Sequence, residues 1–117
     1  MDDARVRRYF DEIEDERNLG VMSSINLSEF YYKTCQKLGR TVADLRYYQI
    51  RRTKLSVLET DEDLSRIACL DKCRQPQKLS LADCYALGLA RRLKATILTT
   101  DRELAKVREV RTIHFKV

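Results

Sequence analysis

Three acidic residues lie at the start of a predicted helix, either directly after an apolar segment or in the first helical turn. Glu29 follows one short apolar run, Asp101 follows another, and Asp83 is the fourth residue of a Ser-Leu-Ala-Asp segment. If the three carboxylates converge, their mutual repulsion requires a compensating charge, and hard divalent cations prefer such all-oxygen sites. A Mg²⁺ ion held in this way can orient a phosphodiester and activate a bound water for hydrolysis of nucleic acid.

The same residues also fit a purely structural role. Asn26 to Glu29 and Ser80 to Asp83 both have the spacing of a capping box, in which the acid accepts a hydrogen bond from the N-cap backbone amide. An acid in the first turn of a helix is further stabilised by the helix dipole. Spacing alone therefore leaves both the capping and the metal-binding interpretations open.

The elements that must position these acids follow from the hydrophobic pattern. We predict helices over 4–17, 26–38, 41–52, 61–74 (capped by Thr60), 81–94 (capped by Ser80) and 101–107, and strands over 21–25, 55–59, 95–99 and 111–117, with a loop at Pro76. Strands separated by helices imply a parallel sheet with helices on its faces. Right-handed crossovers then bring the strand-to-helix turns to the carboxyl edge, where ligands of open α/β sheets bind.

Length and composition restrict the class of protein. The chain has 117 residues, which corresponds to one domain, and 44% of them are hydrophobic, which excludes a disordered tail. The 3 Gly and 1 Pro disfavour a β-sandwich, and no uncharged stretch approaches a membrane span, so we expect a cytoplasmic protein without membrane contact. The net charge of +5 favours polyanionic partners but also fits a solvated surface of mixed charge.

The cysteine, histidine and tyrosine residues could also take part in chemistry or binding, but their patterns favour structural roles. The four cysteines lack the tight spacing of a zinc site, and we predict buried free thiols at Cys35, Cys69, Cys73 and Cys84. His114 lies in an alternating strand pattern and is expected to be a plain sheet-face residue. The tyrosine pairs at 31–32 and 47–48 are predicted to pack between helices or to form a dimer contact, rather than to stack on bases.

Three segments, taken in order, resemble PIN domains. Residues 24–32 resemble the second strand and following helix of that family, residues 79–90 its acidic helix, and residues 96–104 its next strand with a terminal Asp. Each segment alone is a weak signal, whereas the ordered set is fairly specific and covers nearly the whole chain. The likeness is strongest to the VapC-like toxin nucleases of toxin–antitoxin pairs.

The resemblance implies a three-layer α/β/α sandwich with a mainly parallel sheet and cleavage of single-stranded RNA with Mg²⁺ or Mn²⁺. It also implies a homodimer and inhibition by a small antitoxin protein. By position, Glu29, Asp83 and Asp101 would be the catalytic, metal-holding acids. Thr99 and Thr100 would support the site by hydrogen bonding, and Glu103 would be an additional acid.

The beginning of the chain departs from the family pattern. PIN domains open with an apolar strand that ends in Asp, whereas this sequence begins with the helix that should follow that strand. We therefore expect a single PIN-like domain over 1–117 that is truncated at its N-terminus relative to the family. Without that strand and its carboxylate we expect reduced or absent cleavage. The alternative is a non-catalytic module that dimerises or binds an antitoxin, with the acids serving as helix caps.

Overall fold

Helices and short strands alternate along the chain, as the hydrophobic pattern predicts. The structure is a computed structural model that describes residues 4–75 and 78–115, so the predicted loop at Pro76 lies outside the described residues. The helices are α1 (Ala4–Glu14), α2 (Ser24–Leu38), α3 (Arg40–Arg52), α4 (Glu62–Arg74), α5 (Leu81–Leu93) and α6 (Arg102–Ala105). The strands are β1 (Val21–Ser23), β2 (Ser56–Leu58), β3 (Ile97–Thr99) and β4 (Thr112–His114).

The strands pair in parallel, which confirms the predicted class of sheet. In β1 and β2, Ser23 lies opposite Leu58, and in β3 and β4, Thr99 lies opposite His114. Within the described residues these pairs form two separate two-stranded sheets, and helix α5 contacts a strand of each. Since an isolated two-stranded sheet is marginally stable, each pair depends on the helices packed against it, and α5 is a helix that contacts both pairs.

Helix α5 is the centre of the core. Its residues Cys84 and Leu87 are almost fully buried, and Leu64 and Ala68 of α4 pack into the same cluster. Gly88 allows α4 to approach closely, since a Cβ at this position would lie 2.9 Å from Leu64 Cδ1. The apolar character of α5 therefore reflects burial on several sides.

Helix α1 spans the two strand pairs. Near its N-terminus the Arg5 guanidinium donates a hydrogen bond to the His114 carbonyl oxygen at 3.0 Å. Near its C-terminus Glu14 Oε1 accepts a hydrogen bond of 2.7 Å from the Lys54 backbone amide, two residues before β2. The amphipathic helix predicted at the start of the chain thus links the second strand of each pair.

Two predicted N-caps are wrong by one to three residues. Helix α2 begins at Ser24 with Ser23 as its cap, and the Ser23 hydroxyl accepts a 3.0 Å hydrogen bond from the Asn26 backbone amide, so Asn26 is not the cap. Helix α4 is capped by Asp61 rather than Thr60, and Asp61 Oδ1 accepts from the Leu64 backbone amide at 2.8 Å. In each case the residue with the extended backbone has a side-chain oxygen within reach of a first-turn amide.

Several element ends also differ from prediction. Helix α1 ends at Glu14 rather than at position 17, and Glu16 adopts a left-handed φ of 60° that turns the chain. Strand β4 ends at His114, and the last two residues of the predicted strand lie outside the described part of the chain. No helix in the described ranges is both long and apolar enough to span a bilayer.

The prediction of buried cysteines holds for one residue and fails for two. Cys84 is buried and Cys35 is partly buried, whereas Cys69 and Cys73 of α4 are exposed. Helix α4 buries residues 64 and 68, which are one turn apart, and the side chains at 69 and 73 follow the neighbouring, solvent-facing row. Cys69 and Cys73 do share one face of α4, as their spacing predicts, but that face is not the one that packs on the core.

In each of the two tyrosine pairs, one residue packs between helices and the other is exposed. Tyr31 of α2 and Tyr47 of α3 meet edge to face, with ring centroids 5.8 Å apart, and the Tyr31 hydroxyl donates to Asp44 Oδ1 at 2.6 Å. This confirms helix packing for these two residues. Tyr32 and Tyr48 are exposed, and the predicted dimer contact stays a prediction for them.

Candidate active site

Asp83 lies in the first turn of α5, in the predicted capping box. Its backbone amide donates to the Ser80 hydroxyl at 3.0 Å, and its Oδ2 accepts from the Ser80 backbone amide at 3.2 Å. The reciprocal arrangement satisfies two donors that the start of the helix would otherwise leave unpaired. The capping interpretation is therefore confirmed for Asp83.

Burial and neighbouring charges also affect the pKa of Asp83. Burial is the main cause that raises the pKa of this half-buried carboxyl, and the hydrogen bonds from Ser80 oppose it. The negative charges of Asp101 and Glu29 raise the pKa of Asp83 further. Glu29, which is 54 residues from Asp83 in the sequence, is therefore close enough in the fold for its charge to disfavour the ionised form of Asp83, and so is Asp101.

Glu29 has no capping role. Because α2 begins at Ser24, Glu29 lies in the second turn, and its partner is Lys33 on the same helix, with Nζ and Oε1 3.5 Å apart. The side chain of Glu29 is 23% exposed. The proposed capping box from Asn26 to Glu29 is wrong, and the carboxylate of Glu29 accordingly keeps no bond to a helix N-terminus.

Asp101 is the N-cap of the short helix α6. Its Oδ1 accepts hydrogen bonds from the backbone amides of Glu103 and Leu104 at 2.7 and 3.3 Å. Its own backbone amide donates to Thr99 Oγ1 at 3.0 Å. Asp101 is exposed, so its carboxylate is open to solvent while the backbone on either side of it is fixed.

Thr100 and Glu103, which were also expected to support the site, have their own partners outside the three acids. The side chain of Thr100 is exposed, and its carbonyl oxygen lies 3.1 Å from Nε2 of His114. Glu103 forms an ion pair of 3.2 Å with Lys106 one turn later in the chain. The Glu103 carboxylate thus has a cationic partner of its own, and its backbone amide serves the cap of Asp101.

The sequence interpretation missed Asn26 as a part of this region. Asn26 Nδ2 donates to the Ala82 carbonyl oxygen at 3.0 Å, which joins the start of α2 to the first turn of α5. Its Oδ1 is hydrogen-bonded to the hydroxyl of Ser23. No local pattern indicates a partner 56 residues away, so only the polar residue type beside Glu29 could have drawn attention to it.

The three carboxylates suit a hard divalent cation by chemistry, since all of their donors are oxygen atoms. Among residues 4–75 and 78–115, however, no three His, Cys, Asp or Glu side chains are grouped closely enough to hold an ion. Like charges act over several ångströms, whereas Mg²⁺ needs ligand oxygens at about 2.0–2.1 Å. Binding of Mg²⁺ therefore requires the three carboxylates to come closer together than they are in this structure.

Comparison with known proteins gives a family and a fold. The profile of the PIN domain family matches residues 2–110. A comparison with curated protein sequences gave no significant match.

Solved structures with the same fold are VapC and VapBC proteins. A DNA-bound VapBC from Salmonella typhimurium has a TM-score of 0.68 and 19% identity, over 96% of this chain and 85% of that chain. VapC20 of Mycobacterium tuberculosis, a sarcin–ricin loop cleaving toxin, has a TM-score of 0.66 and 21% identity, over 93% and 87%. VapBC-1 from nontypeable Haemophilus influenzae has a TM-score of 0.62 and 15% identity, over 93% and 92%. The family match over nearly all of the sequence, together with the parallel strand pairs packed on α5, shows that the chain belongs to the PIN domain family.

Proposed function

We propose that this chain is a metal-dependent endoribonuclease that cleaves single-stranded RNA, and that it acts as the toxin of a toxin–antitoxin pair. The match of the PIN domain family to residues 2–110 carries the proposal, and the raised pKa of Asp83, to which the charges of Asp101 and Glu29 contribute, supports it. Capping of a helix does not require other acids nearby, whereas a cation site does. Membership of the PIN family, and a fold shared with a toxin that cleaves the sarcin–ricin loop, support the same activity.

In this proposal Glu29, Asp83 and Asp101 hold Mg²⁺ or Mn²⁺, directly or through water. When bound, such an ion supplies a water of lowered pKa and neutralises charge that develops on the phosphodiester. Thr99 Oγ1 fixes the backbone of Asp101 by accepting a 3.0 Å hydrogen bond from its amide, and the Ser80 hydroxyl does the same for Asp83. The net charge of +5 attracts the RNA backbone by counterion release.

We also propose that metal binding and cleavage by this chain are weak. The carboxylate of Glu29 is paired with Lys33, and those of Asp83 and Asp101 accept hydrogen bonds from backbone amides. An ion competes with these partners for the carboxylate oxygens, and this competition reduces its net affinity.

The proposed partners follow from the family. A small antitoxin protein would inhibit the nuclease, in keeping with the likeness to VapC and VapBC structures. A homodimer would cover the exposed tyrosines Tyr32 and Tyr48 on α2 and α3, because aromatic side chains contribute strongly to protein interfaces.

A second candidate function is a non-catalytic module that dimerises or binds an antitoxin. It is favoured by the observation that Asp83 and Asp101 both accept hydrogen bonds from the first turn or the cap of a helix. In this interpretation the acids serve folding, and a divalent cation has no effect on the protein.

A cleavage assay with a fluorescent single-stranded RNA separates the two functions. The full chain is assayed with Mg²⁺, with Mn²⁺ and with EDTA, beside an Asp83→Asn variant purified in the same way as a control for contaminating nucleases. The nuclease proposal expects cleavage with either metal, none with EDTA and none from the variant. It also expects Mn²⁺ to raise the melting temperature of the wild type but not of the variant. Equal cleavage by both proteins, or no metal response of either, would favour the module.

A further inference from the structure

Two side chains outside the acidic set contact the peptide carbonyl that immediately precedes an acid. Asn26 Nδ2 donates to the carbonyl of Ala82, the residue before Asp83, at 3.0 Å. His114 Nε2 lies 3.1 Å from the carbonyl oxygen of Thr100, the residue before Asp101. Because a carbonyl oxygen only accepts, the nitrogen of His114 is the donor. The same relationship thus occurs twice, on two acid-bearing turns of the chain.

The amide of Asn26 is held in a fixed orientation. Ser23, the buried last residue of β1, accepts a 3.0 Å hydrogen bond from the Asn26 backbone amide, and its hydroxyl also bonds Asn26 Oδ1. The other end of the side-chain amide is thereby directed at Ala82. Asn26 therefore ties the helix that carries Glu29 to the helix that carries Asp83.

His114 plays the corresponding part at the other strand pair. It is the last residue of β4 and lies opposite Thr99 of β3, so its ring reaches past the end of β3. There it bonds the Thr100 carbonyl, while the Thr99 hydroxyl accepts from the Asp101 amide. The turn that presents Asp101 is thus held on both sides, and His114 is more than the plain sheet-face residue expected from the sequence.

We infer that Asn26 and His114 are positioning residues, which hold the backbone of Asp83 and Asp101 so that the two carboxylates start from fixed positions when they bind a shared cation. The inference rests on the proposed function. Converging carboxylates repel one another, and a backbone anchored at the preceding carbonyl resists their separation. Mutation of a group that hydrogen-bonds and orients a metal ligand commonly lowers metal affinity by about 10- to 100-fold.

Mn²⁺ affinity, measured by calorimetry on the full chain, tests the inference with four variants. Asn26→Ala and His114→Leu remove the donors, and His114→Gln keeps an N–H donor at the place of Nε2. Asn18→Ala is the matched control, because the Asn18 side-chain amide bonds the Glu12 carboxylate before β1, away from the acids. We expect about a 10-fold loss of Mn²⁺ affinity for each of the first two variants. The Gln and Asn18 variants should stay within about 2-fold, since a retained donor or a remote site leaves the ligands in place.

The melting temperature of each variant without metal shows whether a substitution lowers the stability of the fold, independently of its effect on Mn²⁺ affinity. If Asn26→Ala does not fold, the milder Asn26→Ser takes its place with the same expectation. Lower stability of the Asn26 and His114 variants with unchanged Mn²⁺ affinity would overturn the inference and leave the proposed function intact. Failure of His114→Gln to restore affinity would also overturn it. An absence of Mn²⁺ binding by the wild-type chain would instead overturn the proposed function, and the inference with it.

Discussion

The carboxylate of Asp83 accepts a hydrogen bond from the backbone amide of Ser80 while it lies in the electrostatic field of two other acids. The first relationship stabilises the start of α5, and the second destabilises the charged form of the same group. A residue with only a structural task would gain from the cap without the repulsion. The coexistence of the two effects in one side chain is the basis for assigning a chemical role to this region.

Replacement of Asp83 by Asn is expected to stabilise the metal-free protein at neutral pH. Asn keeps an oxygen that accepts from the Ser80 amide and removes the charge that burial and the neighbouring acids disfavour. We expect a gain in the free energy of unfolding at pH 7, measured in urea, because the neutral amide avoids the cost of the charge.

The pH dependence of this gain has a definite sign. The pKa of Asp83 is raised above its ordinary 3.8, so the folded state binds the proton more tightly than the unfolded state. The wild type therefore recovers stability as the pH falls through the raised pKa toward 3.8, and the advantage of the variant shrinks. A gain that grows on acidification would contradict the account.

Removal of the Ser80 hydroxyl tests the cap separately from the charges. Ser80→Ala deletes the acceptor of the 3.0 Å bond from the Asp83 amide, and we expect a loss of about 1 kcal/mol in unfolding free energy. Ser28→Ala is the control, since that exposed hydroxyl bonds a carbonyl within its own helix. Chemical denaturation should show only a few tenths of a kcal/mol for the control. Equal effects of the two substitutions would exclude a specific capping role for Ser80.

Arg92 is expected to control the titration of Asp61. Two hydrogen bonds from the Arg92 guanidinium, of 2.5 and 3.1 Å, and one from the Leu64 amide lower the pKa of Asp61 from 3.8 to about 2. The stability from this lowered pKa is present above pH 3.8 and is lost as the pH falls toward 2. In Arg92→Gln, carboxyl NMR should show the pKa of Asp61 moving back toward 3.8.

The control for that measurement is Arg66→Gln, which removes an exposed guanidinium 3.8 Å from Asp63 on the same helix α4. The pKa of Asp61 should not change in this variant. An unchanged pKa of Asp61 in Arg92→Gln would show that the backbone amides of Leu64 and Asp63 account for the shift without Arg92.

Leu87 tests the central position of α5. Its side chain is 1% exposed, and truncation to Ala should cost about 2–5 kcal/mol of unfolding free energy through lost burial and a residual cavity. Leu93 on the same helix is 44% exposed, so Leu93→Ala should cost clearly less. Thermal unfolding of both variants measures the difference, and equal losses would place α5 outside the core.

The sequence predicts the local features of this molecule well. The Ser80–Asp83 capping box depends on residues three positions apart, and its geometry follows from residue type and spacing alone. The order of helices and strands is similarly encoded in hydrophobic periodicity. The burial of Cys69 and Cys73 was mispredicted because periodicity shows which residues share a face, and not which face meets the core.

Features that depend on distant residues could not be predicted. Asp61 replaces Thr60 as the cap of α4, and it also bonds Arg92, which lies 31 positions away. Asn26 was interpreted as a helix cap, whereas its side chain bonds Ala82 across the site. The proximity of the acids is a hypothesis from their positions at helix starts and from the family resemblance, because periodicity contains no information on it.

The most direct test of convergence is the pKa of Asp83, measured by carboxyl NMR in the wild type and in Glu29→Gln and Asp101→Asn. If the three acids share one site, the wild-type pKa lies above 3.8, and each substitution lowers it because one repelling charge has been removed. A pKa of Asp83 that is the same in all three proteins would show that the acids do not interact, and would contradict the proposed cation site.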